Sequence, residues 1–393
     1  MKASVLYFVM LAAILIPPAL SQAQSQPATT QANPLTEKAV REWAAQVEKT
    51  INAGSPTFLT ESVDVEAMAD RVWKGMQLTD ANRKSFLTHL PDKIGAFWRA
   101  VCVAIKPNGS FRLLHIRQAD GQWVAMFRLL AAGGVNYDDI ILTSGRNGAV
   151  RVADIYLYAS GEAVSDMFGR SDTDLVAEGT ERQERSRAIH QIVKISDHLK
   201  AKEFQQAMAV FDKIPEKFRN DKAVLVMRIM AASHVSNEEH TKAIEEFHVA
   251  FPGDPAGDLL SIDWYFLDKQ YKDALDAIDR VEKSIGGDPY LNVMRAEVFL
   301  AEGDLDQAAS AAARAVKDDP TMIQGYWTTV TIALRRQDFQ TVSQTLTLIE
   351  NRFKMQLGDP RQVPLYAEFV KSPEYAAWMA SRTQTLATSR AAE

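Results

Sequence analysis

A chain of 393 residues is longer than one ordinary domain, which runs to about 100–200 residues, and two or three units are expected. It is 47% hydrophobic and 24% charged, which excludes a mainly disordered chain, a collagen-like chain and a multi-span membrane protein. The net charge of −6 gives no basic domain of the kind nucleic acid requires, and a single cysteine, Cys102, excludes an intramolecular disulfide framework and any multi-cysteine metal site.

Residues 1–23 have the form of a secretory signal. Lys2 supplies the positive start, Val5 to Ile16 is an unbroken apolar run, and Pro17-Pro18 end it before the small residues of Ser21-Gln22-Ala23. Such a run, at about 1.5 Å per helical residue, is too short to cross about 30 Å of hydrocarbon. The expected address is therefore the periplasm or the exterior, with no membrane span after cleavage. Gln24 to Pro34 is polar, rich in Gln, Ser, Thr and Pro, and reads as a tether.

From Thr36, a candidate N-cap, Val40, Trp43, Val47 and Ile51 recur at helical spacing. Asp64 caps a second helix carrying Val65, Met68, Val72, Trp73 and Met76. A third starts at Thr79 with Phe86, Leu87 and Leu90. Pro91 is expected to interrupt it before the apolar face resumes at Ile94, Phe97, Trp98, Val101 and Ile105. Cys102 lies within that face and reads as an inert buried thiol. The period then changes to two. Strands are expected at Phe111–Arg117, Trp123–Leu130, Val135–Thr143 and Val150–Tyr158, with turns at Pro107-Asn108-Gly109, Ala119-Asp120-Gly121, Gly133-Gly134 and Arg146-Asn147-Gly148. Helices followed by a four-stranded antiparallel meander make residues 35–168 an α+β domain with helices on one sheet face.

This order, with Gly134-Val135-Asn136-Tyr137-Asp138-Asp139 and the run from Val152 to Glu162, resembles the cystatin-like cone of nuclear transport factor two and ketosteroid isomerase. Members of that family use the cone as an enzyme pocket or as a docking platform. A pocket here would be lined by Tyr137, Asp154 and Tyr156, a carboxylate beside hydroxyl donors. The competing interpretation is ordinary strand tyrosines and a structurally paired aspartate. Asp138 and Asp139 are expected to point to opposite faces. The strand face also offers a surface for a homodimer.

Gly169, Ser171, Asp172, Asp174 and Gly179 mark 169–181 as a polar linker. Beyond it, residues 182–382 repeat. Phe204-Ala207-Phe211-Ile214, His240-Ala243-Phe247-Ala250, Tyr271-Ala274-Ile278-Val281, Leu305-Ala308-Ala312-Ala315 and Phe339-Val342-Leu346-Ile349 share one spacing. Their anchors are separated by 36, 31, 34 and 34 residues. Asp254-Pro255, Asp288-Pro289 and Asp319-Pro320 read as helix stops. The short step before Ala274 is expected to truncate the leading helix of the third repeat. Ser372-Pro373-Glu374 opens a last helix, with Tyr375 and Trp378, that caps the array. Residues 383–393 are expected to fray.

The period, the small anchor and the prolines make this half similar to the tetratricopeptide-repeat family. The resemblance implies a right-handed superhelix with a concave groove lined by the leading helices. Groove positions carried over from the family fall on Arg228, Asp263, Tyr290, Glu297 and Trp327, and the implied partner is a peptide or protein segment. No GxGxxG, P-loop, HExxH or GxSxG occurs. His240 and His248 are eight residues apart, off the i, i+4 spacing of a helical zinc site. The sequence therefore reads as an exported, non-catalytic scaffold without cofactor or metal, and an isomerase-like or small-ligand pocket in the cone is the alternative.

Overall fold

The computed structural model describes residues 34–74, 80–106, 109–131, 134–172 and 179–390. The expected signal, nearly all of the expected tether, Met76, Thr79, Pro107-Asn108 and Gly133 lie outside them. Described residues divide between Trp264 and Tyr265 into two compact units.

Among the described residues four helices precede the sheet: α1 (Glu37–Asn52), α2 (Thr57–Glu61), α3 (Val65–Val72) and α4 (Asp80–Ala104). The caps are those expected, with Thr36 accepting from the Ala39 N–H and Asp64 from the Ala67 N–H. Pro91 does not interrupt α4, which is one helix of 25 residues. Proline removes one backbone donor, but Phe86, Leu90, Ile94, Phe97, Trp98 and Val101 keep a single buried face on both sides of it. That burial holds the helix together.

The sheet runs β1 (Ser110–Ala119), β2 (Gln122–Ala131), β3 (Gly134–Ser144), β4 (Val150–Leu157) and a two-residue β5 (Glu162–Ala163), in that spatial order and antiparallel throughout. The meander thus has a short fifth strand beyond the four expected. Phe111, Phe127, Ile140 and Ile155 share one face by register. Trp98 of α4 packs on it, with its ring 5.8 Å from Phe111, which stacks on Phe127 at 4.7 Å.

Both sheet edges are covered in part. Asn52 on α1 pairs with the backbone of Phe111 in both directions, at 2.7 and 2.9 Å, and Glu48 accepts from the Leu113 N–H. At the other edge the Asp64 N–H donates to the Val152 carbonyl and the Val152 N–H to that of Ser62, before β5 takes over. Edge strands left open would template aggregation.

Helix α5 (Val164–Asp172) follows β5, and α6 (Gly179–Lys200) opens the repeats. The polar stretch 169–181 is therefore helical at both ends, and residues 173–178 lie outside the described set. Then come α7 (Phe204–Phe211), α8 (Glu216–Arg219), α9 (Lys222–Ala232), α10 (Asn237–Ala250), α11 (Pro255–Leu267), α12 (Tyr271–Ile285), α13 (Pro289–Glu302), α14 (Leu305–Asp318), α15 (Ile323–Arg336) and α16 (Phe339–Phe353). Neighbouring helices pack in pairs, as α6 with α7, α9 with α10, α13 with α14 and α15 with α16. All five anchors, Ala207, Ala243, Ala274, Ala308 and Val342, are fully buried.

Two expectations about the repeats need correction. The short step before Ala274 is not made by a truncated leading helix, since α11 has 13 residues against 14 in α13. It comes from α10, which ends seven residues after Ala243, whereas α14 runs ten past Ala308. The Asp-Pro pairs at 254 and 288 open the next helix as well as closing the last. Asp288 accepts from the Tyr290 N–H and Pro289 takes the first helical position; Asp254 accepts from the Ala256 N–H ahead of Pro255's helix. Asp319 makes the same bond to the Thr321 N–H, but α15 begins three residues after Pro320.

Ser372 caps the last helix, α17 (Pro373–Arg390), which continues past the point where fraying was expected. Phe369 and Trp378 are buried with Tyr326, Val330 and Leu346, and Arg382 bonds to Glu350 and to the Leu357 carbonyl. The apolar end of α15 and α16 is thereby covered.

Within the first unit, the turn between β4 and β5 is seated on the repeats. Lys222, at the start of α9, donates to the Gly161 carbonyl at 2.8 Å and pairs with Asp254 at 2.6 Å, with its ammonium 4.8 Å from the Phe251 ring centroid. Gly161 has φ +66°, and a Cβ there would meet Asp254 Oδ1 at 2.8 Å. Gly161→Ala combines a left-handed backbone with a steric conflict, so we expect it to destabilise the protein by about 2–4 kcal/mol in urea denaturation followed by tryptophan fluorescence. A loss below about 1 kcal/mol, the size of a typical surface change, would show that the turn can leave its seat freely.

Candidate functional site

The three residues of the cone-pocket alternative lie on one strand face, where register places Asp139 opposite Tyr156 and Ile141 opposite Asp154. Their surroundings differ. Tyr137 is fully buried, with its ring 6.3 Å from that of Tyr158. Tyr156 is half-buried beside Tyr158 at 5.2 Å, and burial together with the charge of Asp254 pushes its phenol up from its ordinary range. Asp154 has both oxygens occupied: Oδ1 accepts from the Ile155 and Ser165 N–H groups, Oδ2 from the Ser165 hydroxyl at 2.5 Å. Ser165 belongs to the first turn of α5, so this carboxylate holds the start of α5 against β4. Burial raises its pKa, and the Ser165 hydrogen bonds oppose that rise.

Asp138 and Asp139 do diverge as alternation requires. Asp139 makes a two-point contact with Arg117, at 2.8 and 2.5 Å, and accepts from the Tyr158 hydroxyl at 3.4 Å. Asp138 faces the other way, fully buried between Phe127 and Leu157 in register. Asn136 donates to its Oδ1 at 2.7 Å and accepts from the Ala159 N–H, while Oδ2 has no hydrogen-bond partner among the described residues. Burial, reinforced by the charge of Asp139, pushes the Asp138 carboxyl up to about 8. Sequence reasoning placed the side chain on the correct face but carried no signal of this depth.

The five groove positions separate into two sets, each within its own unit. In the first, Arg228 pairs with Glu246 of α10 at 2.5 Å, and Asp263 is buried and engaged within the fold. Arg228 is thereby consumed in joining α9 to α10. In the second, Tyr290 and Glu297 stand two turns apart on α13, and Trp327 stands on α15. Tyr290 is half-buried against Val293, Ala315 and Met322. Trp327 is half-buried beside the Tyr326–Val330–Phe369 cluster. Glu297 is half-buried and makes no hydrogen bond or ion pair to any described residue; burial pushes its carboxyl up to about 7.

Other polar pairs are structural. His248 Nε2 lies 2.9 Å from the Ser261 hydroxyl, but that hydroxyl is fully buried and donates to the Gly257 carbonyl at 2.6 Å. A nucleophile needs its oxygen exposed and its proton directed to the base. Cys102 is buried, and burial pushes its thiol up, away from the reactive thiolate. Among the described residues no group of three His, Cys, Asp or Glu side chains is placed to hold a metal ion. No described helix is long and apolar enough to cross a membrane.

Against known proteins, no family model, no curated relative and no solved structure matches the chain.

Asp138 has a pKa above its unfolded value, so it binds a proton in the folded state that the unfolded chain has already released at neutral pH. Its contribution is fully present below the ordinary carboxylate range and is lost as pH rises toward about 8. We expect the melting temperature of Asp138→Asn to fall less than that of the parent between pH 5 and pH 8. Parallel curves would show that Asp138 ionises without cost in the folded state.

Proposed function

We propose that this protein is an exported, non-catalytic binding protein that captures a peptide or extended protein segment on the leading helices of a tetratricopeptide-like array. Export is supported by the sequence of residues 1–23, and the groove by the resemblance in repeat spacing. The observation that carries the reading is the second set of groove positions. Helix pairs bury their anchors completely, yet α13 and α15 retain Tyr290, Glu297 and Trp327 as half-exposed side chains.

Aromatic anchors lose little conformational entropy on contact and dominate binding energy where they occur. Mixed aromatic and charged positions on adjacent helices suit an extended segment, whose side chains project at regular intervals. Arg228 and Asp263 drop out of the proposed contact set, since Arg228 is paired with Glu246 and Asp263 is buried. The cone-pocket alternative is weakened by Asp154, whose oxygens are both engaged by α5 and β4. A carboxylate held in this way is poorly placed to take a proton from a ligand.

An array of random dodecapeptides probed with the purified protein tests the reading, followed by fluorescence anisotropy on the peptides retained. We expect Trp327→Ala to weaken the retained peptides about tenfold or more, with a far-UV circular dichroism spectrum unchanged. Affinities that Trp327→Ala and Tyr290→Ala both leave intact would remove the leading helices of the second unit from the binding surface.

A further inference from the structure

We infer that the Glu297 position of the α13 face receives the cationic side chain, Lys or Arg, of the captured segment; this rests on the groove reading above and names its partner chemistry. The argument starts from how charge is distributed around α13. Its one cation, Arg295, is directed to α12, where it donates to Asp279 and Glu282 at 2.6 Å each, and only 12% of its side chain is exposed. Glu297 lies two residues further on, about 200° around the helix, and so leaves from a different side. No described cation reaches it, from its own helix or from a neighbouring one. Among the described residues, the helix thus has its positive charge neutralised on one side and a carboxylate with no neighbouring cation on the other.

A half-buried carboxylate that no described residue pairs is unfavourable, because water has been partly removed and no described group replaces it. A guanidinium or ammonium arriving from a partner would supply the missing hydrogen bonds and opposite charge, and such charge-assisted bonds are among the stronger contributions to recognition. The surroundings fit that guest. Tyr290 stands two turns earlier on α13, and aromatic faces attract cations. The 34-residue step of the repeat maps Trp327 onto Val293, one turn from Glu297, so an aromatic side chain occupies the equivalent face of the next leading helix. An aliphatic stem lying along aromatic surface with its charge on a carboxylate is the usual way Lys and Arg bind. An acidic segment would meet Glu297 with like charge and is disfavoured.

The test uses the purified full chain and the same dodecapeptide array. We expect retained peptides to be enriched in Lys or Arg at one fixed distance from an apolar residue. Glu297→Gln should weaken those peptides about tenfold or more by anisotropy. It should leave thermal stability equal or higher, since it removes a desolvated charge. Glu297→Lys should reverse the selection toward acidic peptides. If peptides are retained without basic enrichment and Trp327→Ala still releases them, the inference is overturned and the groove reading stands. Basic peptides whose affinity is unchanged in Glu297→Gln also overturn it. If no peptide is retained, the groove reading and this inference fail together.

Discussion

One buried ammonium joins the sheet of the first unit to its helix pairs. Lys222 and Asp254 keep only 17% and 14% of their side chains exposed, so both charges have been largely removed from water. A pair in that position does not stabilise by charge alone, because desolvation offsets much of the attraction. Here the ammonium has three partners of different kinds: the Asp254 carboxylate, the Gly161 carbonyl and the face of Phe251. Asp254 in turn spends its other oxygen on the Ala256 N–H. The joint therefore fixes the start of α9, the start of α11 and the β4–β5 turn at once. Sheet and first helix pairs consequently form one compact unit, and the division of the chain falls within α11 rather than in the polar stretch at 169–181.

That placement also explains the crowding around Gly161. The same few ångströms must hold a left-handed backbone, a carboxylate and a lysine stem. Glycine satisfies both demands there, for conformation and for space. Nearby, Asn136 bonds to the Ala159 N–H and to Asp138, so the turn that meets Lys222 is tied on its other side to the buried carboxyl. Polar groups with low exposure thus form a short path from the sheet interior to the helix pairs.

Much of this architecture was legible in the sequence because it depends on local chemistry. Thr36, Asp64 and Ser372 could be recognised as caps, since a side chain three residues ahead of an N–H needs no tertiary information. Strand alternation and anchor spacing were legible for the same reason. Pro91 misled because its local effect is real but is outweighed by apolar residues on both sides of it. The short third repeat misled because a step of 31 residues says that three are missing but not from which helix. The Lys222 joint was not legible at all: its partners lie 61 and 32 residues away, and nothing in their spacing marks them. Of the candidate site, the positions could be carried over from the resemblance, but that Arg228 is already engaged depends on Glu246, a residue of the trailing helix that the spacing does not mark.

Those trailing helices supply the last step. In the first unit Glu246 of α10 takes the charge of Arg228 on α9, so a position that could face a partner is used to bind one helix of the pair to the other. In the second unit the acids of α12 take Arg295 instead, and Arg295 does not lie on the Glu297 side of α13. The same kind of salt bridge, placed two residues along the helix, leaves a different charge exposed. A repeat array can in this way keep its packing constant, with every anchor buried, while the choice of internal ion pairs decides which leading helices remain electrostatically open. On the proposed binding reading, the charge that a leading helix offers depends on which of its cations the trailing-helix acids Glu246, Asp279 and Glu282 take up, as well as on its groove residues.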